Sequence, residues 1–366
     1  MQLFPIDTML PRQSRVSHSK DNFDAIRLFA ALVVVYGHAF ALTGATPPAI
    51  FGNYVSTIAV KVFFIISGYL VIESWRRDPS VSRYLSRRSL RIFPGLVVCT
   101  LLSAFLLGPL VTSLPLGEYF TSPLFARYLL NMVLRPHTIL PGVFEHNTYP
   151  DAVNGSLWTL PVEFGMYLVT PLIVLRGKGE KTRTILGTLG LCALSLYVLF
   201  AKPDLGAHGQ AIKDYLEVAP YFLLGAMWRV AAPQTVFNAQ TAVLLLFLLT
   251  LIPAGPQYEI GLYLVLPYAI LSASLCKPAL LRSAGRFGDF SYGVYIYGFP
   301  IQQTVSFYFH TQGQPFLNFG LSVVPTLALA ALSWHFVEKP FLTLKPRRQP
   351  SVKSPIASET AAGSIG

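Results

Sequence analysis

The fold is decided by an apolar stretch near the N-terminus, Asp24-Ala-Ile-Arg-Leu-Phe-Ala-Ala-Leu-Val-Val-Val-Tyr-Gly-His38, which carries two ionisable side chains on one helical face. The spacing from Arg27 to His38 is about 20° more than three full helical turns, so both side chains point the same way, roughly 16 Å apart along the axis. Ionisable groups are costly inside a membrane and by default indicate a functional site. The stretch therefore predicts a membrane helix with a path, or a long bound ligand, along this face.

The composition of the whole chain also indicates a membrane protein. It is 53% hydrophobic and 12% charged, whereas a soluble domain carries about 25% charged residues. Because a spanning helix needs about 20 mostly apolar residues, we predict an all-α polytopic protein with ten spans. They lie at 24–43, 53–73, 93–113, 157–175, 184–201, 214–231, 240–254, 257–275, 289–309 and 316–336. We expect one membrane domain at 22–341, an N-terminal tail at 1–21 and a disordered C-terminal tail at 342–366.

The basic residues predict the orientation of these spans. With a cytoplasmic N-terminus, the inner segments and helix ends hold 23 of the 28 Lys and Arg residues, which predicts that both termini are cytoplasmic. The net charge of +11 is then a consequence of topology. Because the basic residues are spread over every inner segment, we predict no nucleic-acid partner. The longest outer segment, 114–156, is rich in aromatic residues, so we expect it to pack as a lid or substrate platform.

Two groups of residues near the predicted inner face suggest ligand binding. Arg88 and Arg91 are three residues apart and share a helix face. Arginine clusters bind phosphate through pairs of charge-assisted hydrogen bonds, although anchoring to anionic lipid head groups is an equally simple explanation. Ser67-Gly68 permits either close helix packing or close approach of a ligand. In the same helix, Lys61 either pairs with a carboxylate or extends to the interface, and the sequence does not decide between them.

A polar stripe begins the fourth predicted span, in the stretch Asn154-Gly-Ser156-Leu-Trp158-Thr-Leu-Pro-Val-Glu163. If this helix starts at the outer surface, Glu163 lies about 9–12 Å below its outer end, and His38 about 7 Å below its own. The two titratable groups are therefore predicted to share a depth and to face the bundle interior. Trp158 is also typical of an interfacial aromatic belt, and a buried glutamate can have a purely structural role.

Six motifs in this order resemble the acyltransferase-3 family of membrane O-acyltransferases. They are Arg27-x10-His38, Phe63-Phe64-x2-Ser67-Gly68, Arg88-x2-Arg91, Ser156-Leu-Trp158-x4-Glu163, Phe290-Ser-Tyr-Gly-x-Tyr295 and Val337-Glu-Lys-Pro. The resemblance covers residues 22–341. Members are bacterial inner-membrane enzymes that transfer acetyl or other acyl groups from acyl-coenzyme A to sugar hydroxyls of lipopolysaccharide, exopolysaccharide or lipo-oligosaccharide signals. One departure is Gly298, at the position where we expect a histidine before Phe-Pro.

The resemblance implies an acyl-coenzyme A donor, with acetyl expected because it is the commonest acyl group in the family. No bound cofactor and no metal are implied. The anionic donor is cytoplasmic, so its phosphates are expected to meet Arg88 and Arg91, with Arg27 and Ser67 beside them. The pantetheine arm then extends outward along the first helix and brings the thioester towards His38.

The resemblance also implies the catalytic roles. His38 is expected to act as the general base, because the pKa of histidine lies near working pH. Glu163 is expected to orient the imidazole or to stabilise its charged form, and Ser156 and Trp158 to contact the carbohydrate or glycolipid acceptor. A covalent acyl-enzyme on His38 or on a serine stays open, as does a homodimer.

Two other classes of function are alternatives to an acyltransferase. A transporter or flippase of a lipid-linked saccharide would use similar spans and charges, but the lack of inverted internal similarity counts against it. A non-catalytic scaffold would leave the buried His38 and Glu163 without a reason.

Overall fold

The computed structural model describes residues 21–174, 177, 179–206, 209–253, 255–276 and 288–346. The predicted tails therefore lie almost wholly outside the described residues. Within them, regular structure is helical apart from an isolated bridge and a short antiparallel hairpin, in which Ala49–Ile50 pairs with Asn53–Tyr54. The all-α prediction is confirmed.

Helices occupy all ten predicted spans. In chain order they are α1 (Phe23–Leu42), α2 (Val55–Arg77), α3 (Val81–Leu102), α4 (Gly108–Val111), α5 (Leu116–Thr121), α6 (Pro123–Tyr128), α7 (Thr159–Ile173), α8 (Glu180–Ala201), α9 (Gly209–Ala231), α10 (Ala239–Thr250), α11 (Pro256–Leu275), α12 (Ser291–Phe309), α13 (Pro315–Ser333) and α14 (Lys339–Thr343). Among the described residues, six segments are long and apolar enough to cross a membrane: Phe23–Leu42, Val55–Arg77, Val81–Val111, Glu180–Ala201, Pro256–Leu275 and Pro315–Thr343. The polytopic class is confirmed, whereas the count of ten spans stays a prediction.

The centre of the bundle is a direct backbone contact between α2 and α9. A Cβ atom added at Gly68 would overlap the carbonyl oxygen of Phe222, and one added at Gly225 would overlap that of Ile65. Both helices therefore require glycine where they cross, as small residues allow in membrane helix pairs. The packing interpretation of Gly68 is confirmed.

The contacts of α1 define the two ends of the bundle. Gly37, near the end of α1, packs on Ser56 at the start of α2, so these helices are antiparallel. Near the start of α1, Arg27 pairs with Asp289, which lies two residues before the first residue of α12. We call this the arginine end, and the opposite one, which carries the hairpin at residues 49–54, the hairpin end.

The long segment between α3 and α7 packs against the bundle, as predicted for residues 114–156. Its short helices α5 and α6 surround a cluster of aromatic side chains, where the Tyr119 hydroxyl donates a 2.7 Å hydrogen bond to the carbonyl of Ala104. The fully buried amide of Gln303, on α12, donates to the carbonyls of Tyr149 and Ala152 at 2.8 and 2.7 Å. The segment is thus fixed to α12.

Helix α7 begins inside the bundle rather than at its surface. Just before it, the Asn154 amide donates a 2.9 Å hydrogen bond to the carbonyl of Ile296, in the second turn of α12. Asn154 and Ser156 are each only 1% exposed. At the first residue of α7, the hydroxyl of Thr159 lies 2.6 Å from that of Tyr295. With only 15 residues, α7 runs from this interior point towards the arginine end.

Candidate active site

A cavity of about 290 Å³ opens at the arginine end. It brings together Arg27 from α1, Ser67 from α2, Arg88 and Arg91 from α3, and Glu163 from α7. All four residues predicted to bind the donor, and one of the two predicted catalytic residues, therefore converge on one space. We call it the arginine cavity.

Asp289 bridges two of the arginines in this cavity. Its Oδ2 atom accepts from Arg27 Nη1 at 2.7 Å and from Arg91 Nη2 at 2.5 Å, while its Oδ1 accepts from the Ser291 hydroxyl at 2.5 Å. Burial raises the pKa of the Asp289 carboxyl, but the two guanidinium groups outweigh this and hold the pKa well below its usual range. The positive charges of Arg27 and Arg91 are thus partly neutralised by the protein itself.

The position of Asp289 depends on the glycine before it. Gly288 has a φ of +130°, and a Cβ atom there would overlap the indole of Trp334. Only glycine adopts this conformation without strain. Asp289 was not among the residues predicted from the sequence. It stands at the start of a predicted span like any helix-start aspartate, so no local signal singled it out.

Arg87 and Arg88 carry guanidinium donors that the protein leaves unused. Arg87 donates to Asp78 at 2.8 Å, and its Nε and Nη2 atoms are buried without a partner among the described residues. Arg88 donates to Ser74 at 3.3 Å and lies 5.7 Å from the ring centroid of Tyr167, and its Nε is likewise unpartnered. Because buried donors without acceptors are costly, this arrangement favours an anionic ligand.

Lys345 completes the basic lining of the cavity. Burial, and then the nearby charges of Arg91, Arg88 and Arg87, lower the pKa of this lysine to about 8. Lys345 lies two residues after the end of α14, so the start of the predicted C-terminal tail packs with the membrane domain. Lys345 and Arg87 were not predicted as site residues, because a run of basic residues does not show which side chain points inward.

Glu163 lies at the wrong depth for its predicted role. Its Oε1 atom accepts from the hydroxyls of Ser67, at 2.9 Å, and Tyr167, at 2.5 Å, and it lines the arginine cavity with Arg27. His38 is roughly 16 Å from Arg27 along α1. The prediction that Glu163 and His38 share a depth is therefore wrong, because it assumed that α7 starts at the outer surface.

His38 lies nearer the hairpin end and does not line the arginine cavity. The half-buried imidazole packs edge-to-face on Phe299, with ring centroids 5.3 Å apart. Phe299 in turn contacts Tyr149, at 6.2 Å, and Gly155. The imidazole makes no hydrogen bond within the described part of the chain. Its surroundings join it to the long segment before α7, and the entry of an acceptor at this place stays a prediction.

The face of α1 between Arg27 and His38 is packed rather than open. Ala31 and Val34 lie on this face and are 0% and 1% exposed. Alongside them, Gly298 of α12 sits so close to α1 that a Cβ atom would meet Val35. The predicted path along this face is therefore filled by side chains, and the missing histidine at 298 is replaced by a tight helix contact.

The two predicted acceptor-binding residues flank the start of α7. Ser156 is buried, its hydroxyl donates to Asn154 at 2.9 Å, and its carbonyl accepts from Tyr295 at 2.8 Å. Trp158 is half-buried and directly precedes α7. Neither lines the arginine cavity. Ser156 fixes the interior start of α7, and an acceptor contact at either residue stays a prediction.

These features define a polytopic membrane protein with a basic ligand cavity at one end. Residues 20–335 match the family model described as an acyltransferase domain. The chain therefore belongs to the acyltransferase-3 family, as its motifs predicted, and is an enzyme that transfers acyl groups other than amino-acyl groups.

The relatives of this chain include transferases of acetyl groups to oxygen. The O-acetyl transferase of Shigella phage Sf6 is 32% identical over 336 residues, which cover 89% of this chain and 97% of that protein. Nodulation protein 10 of Rhizobium leguminosarum bv. viciae is 29% identical over 372 residues, covering 92% and 97%. The putative peptidoglycan O-acetyltransferase YrhL of Bacillus subtilis is 24% identical over 361 residues, covering 87% of this chain but 54% of that protein. No solved structure matches the chain.

Proposed function

We propose that this enzyme transfers an acetyl group from acetyl-coenzyme A to a hydroxyl of a cell-surface carbohydrate or glycolipid in the bacterial inner membrane. The observation that carries the proposal is the arginine cavity, whose unpartnered donors suit the phosphates of an anionic donor. The O-acetyltransferase relatives support acetyl as the group and oxygen as the acceptor atom. The excess of Lys and Arg in the predicted inner segments over the outer segments supports entry of the donor from the cytoplasm.

We assign the phosphates of coenzyme A chiefly to Arg87, Arg88 and Lys345. The first two offer buried N–H groups without acceptors, and the third adds a charge at the cavity wall. Arg27 and Arg91 add positive potential, but Asp289 already occupies one nitrogen of each. The first three side chains are thus assigned to phosphate binding, and the pair bridged by Asp289 to structural support of the cavity.

We assign the proton transfer to His38. An imidazole nitrogen removes the proton of the acceptor hydroxyl, and the oxygen attacks the carbonyl carbon of the thioester. The carbon–sulfur bond then breaks, and the leaving thiolate of coenzyme A takes the proton from the imidazolium. Histidine suits both steps because a neutral imidazole nitrogen can accept a proton and the imidazolium can return it.

The distance between the arginine cavity and His38 requires a route for the pantetheine arm. Since the direct face of α1 is filled, we propose that the arm passes Ser67 and Glu163 and then the rings of Phe63 and Tyr295, which lie 5.8 Å apart. Glu163 then accepts hydrogen bonds beside the pantetheine amides instead of orienting His38. A local movement of these rings opens the route during turnover.

The test compares the purified wild-type protein with His38→Ala. Each is given acetyl-labelled coenzyme A and membrane glycolipid extract, and label is counted in the glycan fraction. Because a general base contributes about 10²–10⁴-fold, we expect at least a hundredfold lower transfer by the variant. The matched control is His310→Asn, since His310 is exposed and has a φ of +50°, which asparagine tolerates.

Each outcome of this test decides a separate point. Equal transfer by His38→Ala and the wild type would remove His38 from the chemistry. Label that stays on the protein after denaturation would instead indicate a covalent acyl-enzyme. Absence of transfer by the wild type from any short acyl donor would refute the proposed function, and glycolipid movement across vesicles would then favour a flippase.

A further inference from the structure

A second cavity, of about 430 Å³, opens at the hairpin end between α2, α8, α9 and α11. Its lining includes Asn53, Lys61, Glu217, Tyr221 and Glu259. In the described part of the chain, it shares no lining residue with the arginine cavity, and His38 is not part of it. The proposed chemistry uses none of these side chains. We call this space the lysine cavity.

Lys61 is the buried charge at its centre. The side chain is 4% exposed, and its ammonium donates a 2.6 Å hydrogen bond to Asn53 Oδ1 and lies 5.1 Å from the ring centroid of Tyr221. An ammonium has three donors, so two find no acceptor among the described residues. A buried ammonium is retained only where it is paired and hydrogen-bonded, which favours further partners supplied by a ligand.

The tyrosines of the lining differ in their hydrogen bonds. The hydroxyl of Tyr263 donates to Ser195 at 2.8 Å, and Ser195 donates in turn to the carbonyl of Leu216 at 2.7 Å. The hydroxyl of Tyr221 is buried and has no partner among the described residues, although Tyr221 is only 1% exposed. Since buried hydroxyls are normally paired, the hydroxyl of Tyr221 is a second indication of a missing ligand.

The charges of the lining select the class of ligand. Three lysines and two glutamates face this cavity, namely Lys61, Lys202, Lys213, Glu217 and Glu259. A phosphate would meet the carboxylates, a cation would meet the ammonium groups, and an apolar ligand would leave both signs unpaired. Hydroxyl groups both donate and accept, so a neutral polyhydroxylated ring matches this mixture.

We infer that the lysine cavity binds a neutral sugar unit of the acceptor, distinct from the unit that is acylated. The assignment of the sugar to an acceptor rests on the proposed function, whereas sugar binding itself does not. Both cavities lie along α2, where Lys61 and Ser67 are roughly 9 Å apart along the axis. Binding of a remote, non-reacting unit positions the reacting hydroxyl and lowers the barrier to transfer.

The test uses Tyr221→Phe, which removes only the unpartnered hydroxyl. Calorimetry with methyl glycosides of glucose, galactose, rhamnose and N-acetylglucosamine measures sugar binding to the purified protein. We expect the wild type to bind at least one glycoside, and Tyr221→Phe and Lys61→Met to weaken that binding at least fivefold. Neither substitution changes the affinity for coenzyme A. With glycolipid extract, Tyr221→Phe raises the KM for the acceptor and leaves the KM for acetyl-coenzyme A unchanged.

The matched control is Tyr128→Phe. Tyr128 is also fully buried with an unpartnered hydroxyl, but it lies in the aromatic cluster of the long segment and lines neither cavity. A purely structural role predicts the same small effect for both tyrosines. Failure of all four glycosides to bind, or equal binding by the wild type and Tyr221→Phe, would overturn the inference.

The failure of this inference and that of the proposed function are distinguishable. If transfer depends on His38 but Tyr221→Phe does not change the KM for the acceptor, the proposed function is supported and the sugar site is refuted. Glycoside binding that requires Tyr221, in a protein that transfers no acetyl group, would leave the sugar site and remove the function.

Discussion

The Asp289 carboxylate holds two guanidinium groups together, so Asp289→Asn is the most informative change at the arginine end. The substitution keeps the shape of the side chain and removes the negative charge between Arg27 and Arg91. The side chains of Arg27, Asp289 and Arg91 are 19%, 16% and 15% exposed. In the variant, both guanidinium groups therefore stay largely desolvated without their main counter-charge.

The expected cost follows from this burial. Removing one partner of a buried ion pair costs about 3–5 kcal/mol, and Arg91 keeps a second carboxylate, Glu338, at 3.6 Å. We therefore expect a loss near the lower limit, about 3 kcal/mol in the free energy of unfolding. At about 2 °C per kcal/mol for a large chain, the melting temperature falls by about 6 °C.

The pH dependence of the unfolding free energy independently tests whether the Asp289 carboxylate stabilises the folded protein. The pKa of Asp289 is lowered in the folded protein, so its stabilisation is present above the ordinary carboxyl pKa of 3.8. It is lost as pH falls below that value towards the folded pKa. The stabilisation that Asp289 adds to the wild type relative to Asp289→Asn should therefore shrink as pH falls below about 4.

The assay is thermal unfolding of the purified protein with and without coenzyme A. Bound phosphate supplies negative charge to the same cavity, so coenzyme A should stabilise Asp289→Asn more than it stabilises the wild type. The control is Glu118→Gln, which removes an exposed carboxylate that has no ion pair within the described residues. An unchanged melting temperature would refute the bridging role, and loss of coenzyme A binding would instead make Asp289 a ligand contact.

Two further substitutions test the phosphate assignment. Arg87→Gln should lower the affinity for coenzyme A about tenfold or more, since a hydrogen bond to a charged group contributes about 1.5–3 kcal/mol. Calorimetry measures this affinity, with Arg127→Gln as the control because Arg127 is exposed. Equal affinities of Arg87→Gln and the wild type would exclude Arg87 from phosphate binding. The affinity of the wild type should fall as pH rises through about 8, where Lys345 loses its charge beside Arg87, Arg88, Arg91 and Asp289. In Lys345→Met the affinity for coenzyme A should not fall over this pH range. If it still falls, a group other than Lys345 is responsible for the pH dependence.

The sequence predicted the helices well because each span can be recognised from its length and apolar composition. It also predicted four members of the arginine cavity, since Arg27, Ser67, Arg88 and Arg91 all line it. Regular spacing along a helix translates directly into shared faces. Apolar composition and helical spacing are local properties of the sequence, so they can be recognised without knowing the tertiary contacts.

The residues that were missed depend on contacts between distant segments. Asp289 lies 198 positions from Arg91 in the sequence, and nothing local distinguishes it from a helix-start aspartate. Lys345 likewise becomes a cavity residue only when α14 folds back on α3. The charge of a cavity is therefore harder to predict than its members, because the neutralising partner can come from any part of the chain.

The depth of Glu163 was wrong because hydropathy does not show where a helix starts once the chain before it is also buried. Asn154 and Ser156 satisfy their polar groups on α12 and within the segment itself, so an irregular backbone enters the bundle at no large cost. Irregular backbone at membrane depth is tolerated where it is buried in protein. This entry shortens α7 and moves Glu163 towards the arginine end.

The same entry indicates which part of the bundle can move during transfer. The α2–α9 contact through Gly68 and Gly225 brings two backbones together and leaves no side chain that could shift. The start of α7, in contrast, is held by side-chain hydrogen bonds, including that between Thr159 and Tyr295. Interrupted helices often form the binding sites of membrane transporters. On the proposed route, a thioester that travels from the arginine cavity to His38 therefore has to displace Tyr295 and the start of α7, while the contact between α2 and α9 stays in place.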